Sequence, residues 1–504
     1  MLAVILFFSN LVFAEKLQIV HINDLHSFFN GSRDGTGGYA RVKTVIDHLK
    51  NKAAEKNIPT LVFDGGDFGE GTSFFMSAEG INSLKALDLL GINATVIGNH
   101  DYMLGGKVFA NQIKKANLKT KILSANFVHT PEMGLTNLVN PIIDYKIGDY
   151  NIRVIGLSTA EAHFQYPLLP GLIAPHEPIA LELSQAARKA GKNLIIALTH
   201  LGLNTDINLV KKSEAIDLVI GGHSHTALST PTWIQNKNGT DIPIFQAGSQ
   251  GRYVGSIILN IENNQINLDS YELIAIDQNT DVNSQMDLFV QQSYQDLAHY
   301  FSRDIQEIIG YSNIELSGYK NGKIVIKQTC WGKHLAKITR VSSGADIGVH
   351  FTYFEGDTIP AGPIKFIDMI DNYPHFNKYG DPGWEIVTMK IPGNVLKTVI
   401  RGLVNLREMM GVTLEGVTYK SFKLPYFIPY LGGKIYSFNF RVNGEKISNK
   451  KQYSLAIPGE IAKAMKILLP EKIRKLLPET QASGIYYWPE IENYIKNNSP
   501  IECL

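Results

Sequence analysis

The sequence predicts a layered α/β protein in two domains, and three observations carry that prediction. Apolar runs of strand length alternate with amphipathic helical stretches through the first half, as expected of strands and helices stacked in layers. Five of these runs are rich in β-branched residues, as buried parallel strands are, and end abruptly in side chains able to bind a metal or move a proton. At 504 residues, the chain also exceeds what one hydrophobic core usually supports.

Taken in order, Leu2 to Phe13 is nearly all apolar and closes with Val12-Phe13-Ala14 before Glu15, which fits a secretory signal over residues 1–14. The run is too short to span a bilayer, and no positively charged segment precedes it. The first strand, LQIVHINDLH, ends at Asp24 and His26. Tyr39 to Lys56 reads as a helix with Val42, Val45, Ile46 and Leu49 on one face. LVFDGGDFGEGT then delivers Asp67 past a strand end, between glycines that let backbone and ligand approach closely. In open α/β sheets the ligand crevice lies outside the carboxyl ends of the strands, so that position suits chemistry.

Helical stretches follow at Gly80 to Leu90, Lys107 to Ala116 and Pro178 to Ala190, with a proline-rich loop from Gln165 to Pro178. Between them ATVIGNHD ends at Asn99 and His100, NLIIALTH at His200, and DLVIGGHSH at His223 and His225. IPIFQAGS and VGSIILNI read as two further strands that complete a first domain over 15–277. Strand signals vanish over 278–309, where Met286, Phe289, Leu297, Tyr300 and Phe301 mark a helical linker. The second domain, 310–504, mixes helix and strand patterns with aromatic-rich loops, HFTYFEG at 350–356 and LPYFIPYLGG at 424–433.

With 48 Lys and Arg against 47 Asp and Glu, bulk charge attracts neither polymeric nucleic acid nor an anionic membrane. No later run is apolar enough for stable membrane insertion, and Cys330 and Cys503, the only cysteines, lack metal-site spacing; whether they pair is left open.

Asp24, His26, Asp67, Asn99, His200, His223 and His225 form the candidate ligand set. Carboxylate, imidazole and amide donors without thiolate suit zinc, manganese, iron or cobalt better than calcium. Seven donors are too many for one tetrahedral ion, whereas two divalent ions bridged by one carboxylate use them all, an arrangement that recurs in phosphate-ester hydrolysis. His100, next to Asn99, is assigned the proton. The isolated histidines, among them His21, His334, His350 and His375, have no ligand spacing and are read as structural, and Asp64 as a turn residue.

At HINDLH, FDGGD, GNHD, LTH, GGHSH and QAGSQGRYVG the sequence resembles the calcineurin-like metallophosphoesterases, and more narrowly the secreted 5'-nucleotidase and UDP-sugar hydrolase family. The resemblance implies a sandwich of two β-sheets flanked by helices, followed by a smaller α/β C-terminal domain. It also implies one ion held by Asp24, His26, Asp67 and His225 and another by Asp67, Asn99, His200 and His223, although the family commonly has Gln or Asn at position 225. The family's catalytic histidine is oriented by an Asp three residues on, here Met103, so Glu70 or Asp101 is expected to substitute.

The likeness continues at 344–364, where the expected Asn and Arg of the nucleotide grip are Phe351 and Gly356. Losing that arginine removes a bidentate phosphate contact. Tyr353, Phe354, Tyr419 and Phe427 are the candidates for stacking on a base. The implied protein is a periplasmic or secreted hydrolase of a small-molecule phosphoester, a 5'-nucleotide first, attacked by hydroxide generated at the metals with His100 assisting departure. The alternatives are a cyclic nucleotide, a nucleotide sugar or a sulfur ester on the same scaffold, or a binding protein that keeps the metals without turnover.

Overall fold

The computed structural model describes residues 15–148, 150–262, 265–320, 323–324, 328–424, 434–468, 471–475 and 477–503. The expected signal segment, 1–14, and Phe427 lie outside the described residues.

The apolar runs of the first half become two sheets. One has seven strands in the spatial order Gln265–Ala275, Tyr253–Glu262, Glu15–Ile22, Thr60–Asp64, Ala94–Val96, Lys121–Leu123 and Val139–Asn140. The other has six, in the order Thr232–Gln235, Asp241–Phe245, Leu218–Ile220, Leu194–His200, Tyr150–Ser158 and Ile142–Ile147. Their central strands pair in parallel, Ile22 beside Asp64 in the first sheet and His200 beside Ser158 in the second, so consecutive carboxyl ends emerge together.

Alternation along a strand decides what each face buries. Leu194, Ile196 and Leu198 join Leu17, Ile19, Leu61 and Phe63 in a core shared by the two sheets. Ile195 and Ala197, one residue out of step, pack instead with Ala180 and Ala187 of the helix His176–Lys189 and with Leu209 and Val210 of the helix Leu203–Lys212. A strand covered on both faces must be apolar throughout, which is why LIIAL carries no polar residue.

The stretch expected as a plain loop from Gln165 to Pro178 is more ordered than its prolines suggest. It holds a 3-10 turn at Tyr166–Leu168 and a short strand, Leu172–Ile173, paired with Phe127–Val128, and the following helix begins earlier, at His176.

The chain divides into two compact units. The first takes the chain up to Glu70, Gly80–Glu161 and Pro167–Ser293; the second takes Gly71–Glu79, Ala162–Tyr166 and the chain from Tyr294 on. The division falls inside the helix Ser284–Phe301. The second unit is built on a five-stranded sheet in the order Val412–Glu415, Ile347–Phe351, Gln452–Pro458, Glu385–Pro392 and Gln481–Tyr486. Its helix Cys330–Ser343 starts at Thr329, whose side chain caps the Gly332 amide, and ends at Gly344 in the left-handed conformation that glycine adopts at no steric cost.

Cys330 and Cys503 form a disulfide, which settles the pairing left open above. The C-terminal segment it ties down is also held by the Asn313 amide, which donates to Ile501 O at 3.0 Å, and by His334 Nε2, which donates to Glu502 O at 2.7 Å.

Candidate metal centre

The loops that leave the parallel strands are fastened to one another by their backbones. Asp24 N donates to Gly66 O and His26 N to Asp67 O, both at 2.8 Å, while Gln250 N donates to Asp24 O at 2.6 Å. Asn23 locks the same corner, its Nδ2 donating to Gly248 O and its Oδ1 accepting from Ala247 N, each at 2.6 Å. Asp101 is consumed in this scaffolding: its carboxylate accepts from Gly98 N at 2.7 Å, Gly69 N at 2.9 Å and Asp67 N at 3.2 Å. Gly98 has to be glycine, because a Cβ there would lie 2.1 Å from Asp67 Oδ1.

This fastening brings the expected ligands together in two groups. Donor atoms of Asp24, His26 and His225 lie within 4.8 Å of one another, and so do those of Asp67, His200 and His223. His26 Nε2 is 3.1 Å from His225 Nε2, and His225 Nε2 is 3.3 Å from Asp24 Oδ1. His200 Nε2 is 3.0 Å from Asp67 Oδ2 and 4.0 Å from Asp24 Oδ1, so the two groups adjoin.

Five of these residues hold a left-handed backbone, with φ of 52° at Asp24, 48° at His26, 55° at Asp67, 73° at His223 and 52° at His225. That conformation is uncommon outside glycine and costs free energy, and such strain concentrates at functional sites. Sequence reasoning had no means of finding it.

Two buried polar atoms test whether metal ions fit. Asn99 Oδ1 has no hydrogen-bond partner, and His200 Nε2, though close to Asp67, lacks the alignment of a hydrogen bond. A buried acceptor left unsatisfied is costly. Divalent ions between these donors would satisfy both, and the all-nitrogen-and-oxygen donor set suits them. The electrostatics agree. Burial disfavours a charged imidazole at His200, yet Asp67 and Asp24 outweigh it and hold the group up at about 10. At His100 burial is likewise overcome, by Asp67 and Glu70, and the group is held up at about 9. His26 goes the other way, down to about 4, because burial prevails. The carboxylates around His200 and His100 thus attract positive charge, whereas at His26 they do not overcome burial.

Of the two acids expected beside His100, Glu70 meets the ring, its Oε2 lying 3.0 Å from Nδ1, whereas the Asp101 carboxylate faces backbone amides. Asp64, read from the sequence as a turn residue, is instead the last residue of the strand Thr60–Asp64 and belongs to neither donor group: it accepts from Thr95 Oγ1 at 2.6 Å and from Gly66 N at 3.3 Å, and burial pushes it up to about 7. A contact not foreseen from the sequence is made by Glu161, whose Oε1 lies 3.1 Å from His223 Nε2.

In the second unit, the candidate stacking residues among the described residues, Tyr353, Phe354 and Tyr419, do not form a parallel pair. Tyr353 is exposed and meets Phe354 edge-on, Phe354 wedges edge-on against His375 and Trp384, and half-buried Tyr419 leans on Phe440 at 43°. Phe351, at the position of the expected Asn, is buried in the core. At Gly356, the position of the expected Arg, a Cβ would come within 2.2 Å of Asp371 O, so no side chain fits without a shift of backbone.

Comparison with known proteins agrees with this geometry. The family model of the calcineurin-like phosphoesterases matches residues 17–227. The chain is 29% identical over 333 residues to a snake venom 5'-nucleotidase of Crotalus adamanteus, covering 59% of this chain and 54% of the relative. It is 28% identical over 405 residues to a 5'-nucleotidase of Vibrio cholerae, covering 72% of each. The chain spans about half the length of the first of these relatives. Among solved structures, a 5'-nucleotidase precursor from Thermus thermophilus shares the fold with a TM-score of 0.81 at 20% identity, over 97% of this chain and 98% of that one. A sulfate thiohydrolase of the same genus shares it with a TM-score of 0.72 at 14% identity, over 97% and 95%. These likenesses show the fold alone. Both donor groups fall inside the span, 17–227, that matches the model of the calcineurin-like phosphoesterases.

Proposed function

We propose that the chain is a two-ion hydrolase of a small-molecule phosphoester, acting outside the cytoplasm, with a 5'-nucleotide as the first substrate class to test. The observation that carries this reading is the pair of adjoining donor groups, Asp24, His26, His225 and Asp67, His200, His223, beside the unpartnered carboxamide oxygen of Asn99. Export is supported by the apolar run before Glu15 and by the Cys330–Cys503 disulfide, a bond of oxidising compartments.

Two divalent ions held by these side chains would supply an acidified water as nucleophile and positive charge for the phosphoryl oxygens. The chain's own residues do the rest. Asp67, whose Oδ2 lies 3.0 Å from His200 Nε2 in its own group and 3.7 Å from His26 Nε2 in the other, would serve both ions, and His100 N donates to its Oδ1 at 2.8 Å, which keeps His100 beside the reacting centre. With Nδ1 held by Glu70, His100 delivers a proton from Nε2 to the leaving oxygen as the P–O bond breaks. Glu70 is a positioning residue here.

Purified chain supplied with manganese or zinc is expected to turn over at least one of a nucleoside 5'-monophosphate, a cyclic nucleotide, a nucleotide sugar and an aryl phosphate, and to stop when a chelator is added. A preparation that binds two ions and turns over none of them would be a binding protein instead. The buried Phe351 and the crowded Gly356 favour a second reading within the same chemistry, a phosphoester other than a 5'-nucleotide. Turnover of the aryl phosphate without any nucleotide would select it.

A further inference from the structure

A histidine that gives one ring nitrogen to a metal must carry its proton on the other, and the acceptor of that proton fixes both tautomer and ring orientation. Two rings of the centre find that acceptor in the backbone. His200 Nδ1 donates to Gly65 O and His26 Nδ1 to Glu70 O, each at 2.7 Å, which leaves Nε2 as the donor atom toward the ions. His223 differs. Its Nε2 lies 3.1 Å from Glu161 Oε1, and a carboxylate only accepts, so the proton sits on Nε2 and the lone pair on Nδ1.

We propose that Glu161 is the positioning carboxylate of His223, setting the tautomer and holding the ring so that Nδ1 joins Asp67 and His200 around the second ion. This rests on reading the cluster as a two-ion centre. The topology explains why this acid reaches this ring. The strand Tyr150–Ser158 runs parallel to Leu194–His200 with Ser158 beside His200, so three further residues carry the chain to the sheet edge where the His223 loop emerges. With Glu161 about half exposed, its pair with His223 adds little to stability. Its effect falls on the ring.

The test is manganese binding by titration calorimetry on the full chain, for wild type, Glu161→Gln, Glu161→Ala, His223→Ala and the double alanine variant, with thermal unfolding as a check on folding. Loss of such an orienting partner typically weakens metal affinity by roughly 10- to 100-fold. Glu161→Ala is therefore expected to weaken one of two sites by that factor with the melting temperature unchanged. Glu161→Gln, whose carbonyl accepts the same proton, is expected to recover most of the affinity, and Glu161→Ala is expected to have no further effect once His223 is Ala. Unchanged affinity in Glu161→Ala, a Gln variant as weak as the Ala variant, or additive losses in the double variant would each overturn the assignment while the two-ion reading stands. A wild-type chain that binds no manganese or zinc would overturn both.

Discussion

In the first unit the side chains that carry chemistry follow strands whose direction is fixed by apolar runs buried on both faces. In the second, the segment of family likeness at 344–364 is given over to packing: Phe351 is in the core, His350 Nε2 donates to buried Glu355 Oε1 at 2.9 Å, and Gly356 abuts the carbonyl of Asp371. The donor geometry of one unit and the ligand contacts expected of the other can therefore change separately within one chain. A metal centre tolerates little displacement of its donors, whereas a surface that meets a ligand can exchange one set of contacts for another.

The sharpest way to break this contrast is Asp67→Asn, which removes a carboxylate lying within 4 Å of a ring of each donor group, 3.0 Å from His200 Nε2 and 3.7 Å from His26 Nε2. We expect kcat to fall by roughly 10³-fold or more, on the scale of losing a principal source of transition-state charge stabilisation, and ion stoichiometry by calorimetry to fall from two. Variants of Tyr353 should move KM instead. Next comes reduction of the disulfide, or Cys330→Ser. Removing a native disulfide costs about 2–5 kcal/mol, so denaturant melts should show the second unit weakened while manganese uptake by the first is kept; loss of uptake would mean the units are not separable in this way.

Two glycine variants sharpen the comparison further. Gly98→Ala and Gly356→Ala introduce clashes of similar closeness, 2.1 Å to Asp67 Oδ1 and 2.2 Å to Asp371 O. Overpacking of this kind costs about 1–3 kcal/mol, but only Gly98→Ala is expected to abolish ion binding, as a metal titration alongside thermal melts will tell. Glu70→Gln should lower kcat about tenfold with KM little changed, the loss of an orienting contact to a general acid that supplies on the order of 10²–10⁴. Asp101→Asn should instead lower stability, since its carboxylate holds three backbone amides.

The smallest effect is a slope. Burial, with neither ring nitrogen partnered, pushes His21 down to about 3 from an ordinary value of 6.5. Between those values the unfolded chain binds a proton that the folded chain does not, so stability is full above about 6.5 and is lost as the pH falls toward 3. His21→Phe should flatten that acid limb in melts run from pH 7 to pH 4.

How much of this was legible in advance follows from the range of the forces involved. Strand ends and donor identities are written locally, as apolar runs terminated by Asp, Asn or His, and a reader of the sequence can place Asp24, Asp67, Asn99, His200 and His223 at one edge. The choice between Glu70 and Asp101 was not legible, because it turns on which carboxylate the amides of Gly69 and Gly98 capture. Glu161 was hidden for the same reason: it lies beyond a strand that carries no ligand, and only the parallel pairing brings it to His223. The partition of 71–79 and 162–166 with the second unit is likewise a matter of tertiary contact, invisible to hydrophobic periodicity.

The left-handed backbone at Asp24, His26, Asp67, His223 and His225 bears on any attempt to move this centre elsewhere. Copying those five identities onto loops of another scaffold would transfer the right atoms on the wrong vectors, because most loops relax an Asp or His into the right-handed or extended regions. A successful transplant would have to bring along the glycines and the cross-loop amide contacts that hold the chain in this unfavourable shape.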